Sequence, residues 1–445
     1  MAVVLDTPRR AAKLLAGVLS GAICLGASAQ NLLTLYQSAQ SYDAAYQSAR
    51  QQAQASVAHG EQARAGVLPT VNFFAGASQT SASSSLAAYD ARDYGSQSAS
   101  ISATQPLYRP ANWASSAQGQ TQIDSAQAQL RAAEQDLIVR VSQAYFDVLA
   151  ASDNLTFVRA QKTAVAEQLA SARRNFEVGN ATVVDTRDAQ ARFDLVQAQE
   201  LAADNDLRVK SLALDQLVGK TASSPSALRT PVALPATEPA ELQPWVDKAL
   251  RDNAALQQLK LALESARLET EKAQAGHRPT LDLVASYSAA NNNGTLQSGN
   301  AYTLNQASIG VNLNVPLYAG GAISARVRET VALEEKARND LEAAQRNTAQ
   351  ATRAAFLGLQ SGLLQVKAYE AAEQSSQSAL EANQLGYQVG VKINIDVLNA
   401  QSQLYDTEQK LSKARYETLL AQLRLKAAAG TLGDEDVQAV NALLE

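Results

Sequence analysis

Bulky side chains are scarce in this 445-residue chain: seven Phe, two Trp and fourteen Tyr make up 5% of it, with a single Met and two His. That supply excludes one thick hydrophobic core, and alanine, about a fifth of the residues, points instead to helices that pack closely. An excess of base is also missing. Lys and Arg number 38 against 43 Asp and Glu, a formal charge of −5, and phosphate neutralisation on nucleic acid needs the opposite balance. Cysteine occurs once, as Cys24, inside a segment expected to be removed, which leaves the mature chain no disulfide, thiol nucleophile or thiolate metal site. Past that segment no apolar run is long enough for a transmembrane helix. His59 and His277 have no His, Cys or carboxylate partner at metal-ligand spacing, so no metal or cofactor is expected. Gly219-Lys220-Thr221 echoes the end of a phosphate-binding loop, but Leu214 stands where the first glycine must be. With no Gly-x-Ser-x-Gly either, the chain reads as a non-enzyme.

Residues 1–29 have the form of a secretory signal peptide. Arg9, Arg10 and Lys13 precede an apolar stretch from Leu14 to Ala27, and Ala27-Ser28-Ala29 is a small-residue cleavage site. Its removal leaves 35 basic against 42 acidic groups, an acidic exported protein beginning at Gln30. Ile23 occupies the position where a lipoprotein signal carries a small residue, so no lipid anchor is expected at Cys24.

The mature chain repeats itself. Ala65-Gly66-Val67-Leu68-Pro69-Thr70 returns as Ala275-Gly276-His277-Arg278-Pro279-Thr280, and Pro106-Leu107-Tyr108 as Pro316-Leu317-Tyr318. Further on, Phe176-Glu177-Val178-Gly179 returns as Tyr387-Gln388-Val389-Gly390, and Asp185 as Asp396. The offset is 210 and then 211 residues. The organisation predicted is a first repeat over 30–220, a linker over 221–241 rich in Pro, Ser and Thr, a second repeat over 242–430, and a C-terminal tail over 431–445.

Each repeat opens on one helix, Leu32 to about Ala65 and Leu242 to about Ala275, and continues into a hairpin, 70–108 or 280–318. Ala307, Ile309, Val311, Leu313 and Val315 alternate with Ser308, Gly310, Asn312 and Asn314, a two-faced strand of about ten residues. Long proline-free helices follow over 112–178 and 322–389, about 100 Å each at 1.5 Å per residue. Ile123, Leu130, Leu137, Ala144, Ala151, Val158, Val165 and Ala172 recur every seven residues, a coiled-coil seam that demands partners. The partners are shorter helices over 183–218 and 393–429.

Four strands are too few to close a barrel, and an open sheet edge in lipid leaves backbone groups unsatisfied at several kcal/mol each, so several chains must share one barrel. Ten-residue alternating strands, a signal peptide and helices of about 100 Å describe an outer-membrane pore with a periplasmic extension.

On the duplicated Pro-Leu-Tyr junctions, the two Val-Gly tips and the run Asp396-Val397-Leu398-Asn399-Ala400, the chain resembles the TolC family of outer-membrane channels over essentially its whole mature length. The resemblance implies an α+β membrane protein. It implies a homotrimer whose twelve strands, four per chain, close one β-barrel in outer-membrane lipid of a Gram-negative bacterium, continued by a coiled-coil α-barrel across the periplasm. It implies a passive duct for type I protein secretion or multidrug efflux, opened at its tip by a periplasmic adaptor and an inner-membrane ABC or RND transporter. By the same resemblance Asp185, Tyr387 and Lys392 match the links that hold the tip closed, with Asp185 accepting from the Tyr387 hydroxyl and pairing with the Lys392 ammonium. Lys392 replaces the usual Arg, so a bidentate pair becomes a point charge. Asp396 matches a ring of carboxylates at the constriction, Asn399 stands where a second acidic ring is familiar, and Asp188 is its repeat mate. Val178, Gly179, Val389 and Gly390 form the tips where an adaptor would dock. A lone Asp or Lys just past a helix start is ordinarily a cap or a solvated charge; repeat and resemblance together assign Asp185, Tyr387 and Asp396 to the gate. The lack of a lipidation cysteine places the chain nearer the secretion and general-export branch than the lipidated drug-efflux branch. The alternatives are a dedicated drug or metal efflux duct and, from another class, a periplasmic coiled-coil adaptor or structural protein, which needs no lipid-facing band at Ile309, Val311, Leu313 and Val315.

Overall fold

A computed structural model describes residues 30–85, 91–179, 181–229, 232 and 234–444; the expected signal peptide over 1–29 lies outside them. The order opens with α1 (Leu32–Tyr42), α2 (Ala44–Ala65), β1 (Thr70–Ala82), β2 (Arg92–Tyr108), α3 (Pro110–Glu177) and α4 (Val183–Val218). The same succession follows as α5 (Leu242–Asp252), α6 (Ala254–Ala275), β3 (Thr280–Asn292), β4 (Tyr302–Asn314), α7 (Ala322–Gln388) and α8 (Asn394–Ala428), and α9 (Asp434–Asn441) closes the chain.

The opening helix of each half is not continuous, contrary to the pattern-based expectation. Asp43 and Asn253 sit in extended conformation, φ −60° and ψ 114° to 124°, each ending one helix and starting the next. The cause is local: Asp43 accepts from the Tyr46 amide at 2.7 Å and Asn253 from the Ala255 and Leu256 amides at 3.1 Å, so one side chain replaces the broken helical bonds. Apolar periodicity passes through such a break unchanged.

β1, β2, β3 and β4 form one antiparallel sheet in sequence order. Directly paired residues share a face, so the register sorts the side chains. Phe73, Ile101, Tyr287 and Ala307 form one row, and Val71, Ala103, Ala285 and Ile309 the next. Between them, on the opposite face, runs Asn72, Ser102, Ser286 and Ser308. The apolar face is bare: Phe73 is 73% and Ile309 77% exposed. Among the described residues β1 and β4 each pair on one side only. At the foot of the sheet the Arg109 guanidinium donates to both carboxylate oxygens of Asp282, at 2.7 and 2.5 Å, fixing the start of α3 against β3. Beside it Tyr108 and Trp113 meet edge to face at 5.3 Å, amphipathic rings suited to a membrane boundary.

α3 is a helix of 68 residues that packs against α2 and α6 along part of its length and α4 and α8 along the rest. Of its seven-residue seam, Leu137, Ala151, Val165 and Ala172 are buried. The main core gathers where α1, α3, α8 and α9 converge, around Leu32, Leu35, Tyr145, Leu419 and Val437. Two segments expected as linker and tail contribute to it. The Tyr145 hydroxyl donates to the Ser226 carbonyl at 2.8 Å, the Gln30 amide to the Ser224 carbonyl at 2.7 Å, and Leu228 bridges Leu444. α9, which no long apolar pattern announces, buries Val437 and Val440 and receives the Tyr36 hydroxyl on Asp434 at 3.0 Å.

Candidate functional site

The end of the molecule opposite the sheet is formed by two helix turns of the same geometry. α3 ends at Val178 (φ −90°, ψ 2°) with Gly179 at φ +80°, and α7 ends at Val389 (φ −90°, ψ 1°) with Gly390 at φ +81°. Positive φ is the left-handed region in which a Cβ is strained, and each glycine amide closes the turn on the carbonyl three residues back, Phe176 at 3.0 Å and Tyr387 at 3.1 Å. The flanking side chains are apolar and bare: Val178 is 69%, Val389 66% and Val391 77% exposed.

The two turns start their following helices differently. Thr182 caps α4: its amide and hydroxyl donate to Asp185 Oδ2 at 2.8 and 2.7 Å, and its hydroxyl accepts from the Asp185 amide at 3.3 Å. These bonds, the backbone one first, hold the Asp185 carboxyl below the usual carboxylate range. In α8 hydrophobic Ile393 stands at the cap, and Asp396 Oδ2 accepts from the Ile393 amide at 3.4 Å. Lys392 then lies 3.7 Å from the same Asp396 oxygen.

The structure thus brings Lys392 to Asp396 and leaves Asp185 with Thr182. The expected bond from Tyr387 to Asp185 is not formed within the chain. The Tyr387 hydroxyl accepts instead from Asn175 Nδ2 at 3.0 Å, because the ring packs with Leu380, Val397 and Leu404 and faces the last turns of α3. This tie between the two long helices was not anticipated from sequence, since position 175 is Asn while its repeat mate is Gly386. Asp188 is exposed on α4. Asn399, exposed on α8, accepts from Arg192 Nη2 at 2.6 Å and so joins the inner turns of α4 and α8. Arg192 was also missed; its one signal is that it falls four and seven residues after Asp188 and Asp185, on their helix face.

Above these residues α3, α4 and α8 enclose a cleft of about 600 Å³ with an apolar floor at Phe157, Val158 and Val196 and charged rims at Arg192, Asp206 and Asp406. Among the described residues no group of three His, Cys, Asp or Glu side chains is placed to hold a metal ion.

The outer membrane efflux protein family profile matches residues 35–220 and again 245–431. Outer membrane protein TolC of Vibrio cholerae is 39% identical over 353 residues, 78% of this chain and 80% of that protein. Alkaline protease secretion protein AprF of Pseudomonas aeruginosa is 35% identical over 359 residues, 79% of this chain and 73% of its own length. Among solved structures, the outer membrane protein VceC of Vibrio cholerae superposes with a TM-score of 0.76 at 19% identity, covering 90% of this chain and 96% of that one.

Proposed function

The chain belongs to the outer membrane efflux protein family, and we propose that three copies of it assemble into a passive exit duct serving a tripartite export system. It resides in the outer membrane of a Gram-negative cell with its helices in the periplasm. The observation that carries the proposal is the sheet. One face is apolar and exposed, the other is Ser- and Asn-rich, and both edge strands have an unpaired side. Lipid tolerates such a sheet only when its edges are closed, and four strands from each of three chains make a twelve-stranded barrel. The element order repeated in each half supports two structural repeats that double the helices around the same axis.

Solutes then pass from the tip, between the helices, to the polar face of the sheet, with no covalent step along the way. Opening is a separation of the two turns at Val178-Gly179 and Val389-Gly390, where bare valines offer a periplasmic adaptor an apolar contact and an inner-membrane ABC or RND transporter supplies the energy. The closed tip is held by Tyr387 on Asn175, while Lys392 beside Asp396 and Asp185 with Thr182 stiffen the starts of α8 and α4. The relative AprF is named for protease secretion, which favours type I protein export over a dedicated drug or metal duct. A lipid-facing apolar band is foreign to a soluble adaptor.

The test is single-channel conductance in a planar bilayer, with oligomeric mass measured on the same detergent-extracted sample. A small steady conductance from a species of three chains is expected. A soluble, non-conducting protein overturns the duct.

A further inference from the structure

We propose that Arg192 is a selectivity-determining residue of the tip, one that offsets its carboxylates and leaves the entrance open to anionic as well as cationic cargo. The inference rests on the duct reading above. On α4, Asp185, Asp188 and Arg192 share one face, and on α8 so do Asp396 and Asn399. The repeat offset of 211 superposes Asp185 on Asp396 and Asp188 on Asn399, so the one position of the four that lacks a carboxylate is the one Arg192 reaches.

The chemistry of that contact decides the charge. A carboxylate at 399 would form an ion pair with the guanidinium and cancel it. An amide oxygen at 2.6 Å holds the guanidinium in place and cancels none of its charge. Asn399 is therefore a positioning residue for a fixed positive charge rather than the remnant of an acidic ring. Lys392 beside Asp396 works in the same direction. At the gate positions three carboxylates, Asp185, Asp188 and Asp396, stand with two cations, Lys392 and Arg192, and Arg187 adds a third cation on α4. A narrow mouth so nearly balanced presents little barrier to acidic segments of a secreted polypeptide.

Reversal potentials of the full-length trimer across a KCl gradient test this, with Arg192→Gln, Arg192→Lys, Asn399→Asp and Asp396→Asn compared with the parent. Removing or pairing the three guanidinium charges of a narrow ring raises the K⁺/Cl⁻ permeability ratio, by at least about threefold, in Arg192→Gln and Asn399→Asp. Arg192→Lys keeps the charge and stays near the parent ratio, and Asp396→Asn lowers it. A conducting trimer in which Arg192→Gln leaves the ratio unchanged overturns the inference and leaves the duct standing. So does Arg192→Lys shifting as far as Arg192→Gln, which would make the hydrogen bond matter and the charge not. A parent protein that neither trimerises nor conducts overturns both.

Discussion

Tyr387 and Asn175 share one hydrogen bond of 3.0 Å between the ends of α7 and α3, and such a bond contributes about 1 kcal/mol. Tyr387→Phe and Asn175→Ala each remove that same tie, so each raises single-channel conductance and the double variant rises no further. A double variant with twice the single effect would mean that the two residues act separately. Asp43 is the second residue whose role is specific. It caps α2 and receives both Nη1 and Nη2 of Arg140 at 3.0 and 3.1 Å, and the Arg140 hydrogen bonds lead the effects that hold its carboxyl below the usual range. A folded-state pKa below the unfolded one contributes stability above the unfolded pKa that disappears as pH falls through the folded value. Asp43→Ala lowers stability by about 2 kcal/mol at neutral pH through the lost cap and ion pair, and melting temperatures of parent and variant converge in acid. A gap that does not narrow as pH falls through and below the ordinary carboxylate range would place the loss in packing instead.

Helix ends set the next scale, because the four turns that close the long helices use left-handed glycines in two different settings. Gly390 has φ +81° with nothing within 4 Å of where a Cβ would stand. Gly430, after α8, has φ +73°, and a Cβ there would lie 2.4 Å from the Asp252 carbonyl oxygen. Backbone at that distance cannot rotate away. Gly390→Ala costs about 1 kcal/mol of conformational strain, whereas Gly430→Ala costs about 2–4 kcal/mol because the α5–α6 break must move as well. Equal losses of melting temperature in the two variants would refute the close approach. Elements of this kind were legible only in part. The seven-residue recurrence in α3 and the alternation from Ala307 are sequence properties, carried by the helix and, as far as Leu313, by β4. The breaks at Asp43 and Asn253 were not legible, because a capping side chain substitutes for helix bonds without disturbing the apolar spacing.

At the scale of the whole molecule, the proposed barrel requires lipid and water to meet opposite faces of one sheet. Ile309 lies in the apolar row with Val71, Ala103 and Ala285, and Ser308 in the polar row with Asn72, Ser102 and Ser286. Ile309→Lys therefore costs about 2–4 kcal/mol of barrel stability, and Ser308→Lys, one residue away, is accommodated in the water-filled interior. The measurement is the fraction of each variant that folds into lipid vesicles along a urea series. Equal tolerance of the two lysines would reverse the assignment of faces. The scarcity of aromatics has its explanation at this scale too. In the proposed duct the walls are one or two helices thick, so alanine and leucine seams suffice, and the buried rings Tyr36, Tyr145, Phe146 and Tyr416 gather where α1, α3, α8 and α9 meet.

The sequence by itself determined whatever depends on spacing along the chain: the duplicated landmarks, the alternation of the strands, the heptad seam, and the positions of the turns at Gly179 and Gly390. Each is a periodicity or a glycine, the residue that enters the left-handed region without strain, and both survive reading in one dimension. The tertiary structure alone decided which side chain meets which. It gave Tyr387 to Asn175, Asp185 to Thr182, and Arg192 to Asn399 across 207 positions of sequence. It also packed the expected linker and tail into the core through Ser226, Leu228 and α9. Partners of this kind are chosen by the crossing of helices far apart in the chain, and a polar side chain carries no local mark of the one it will find.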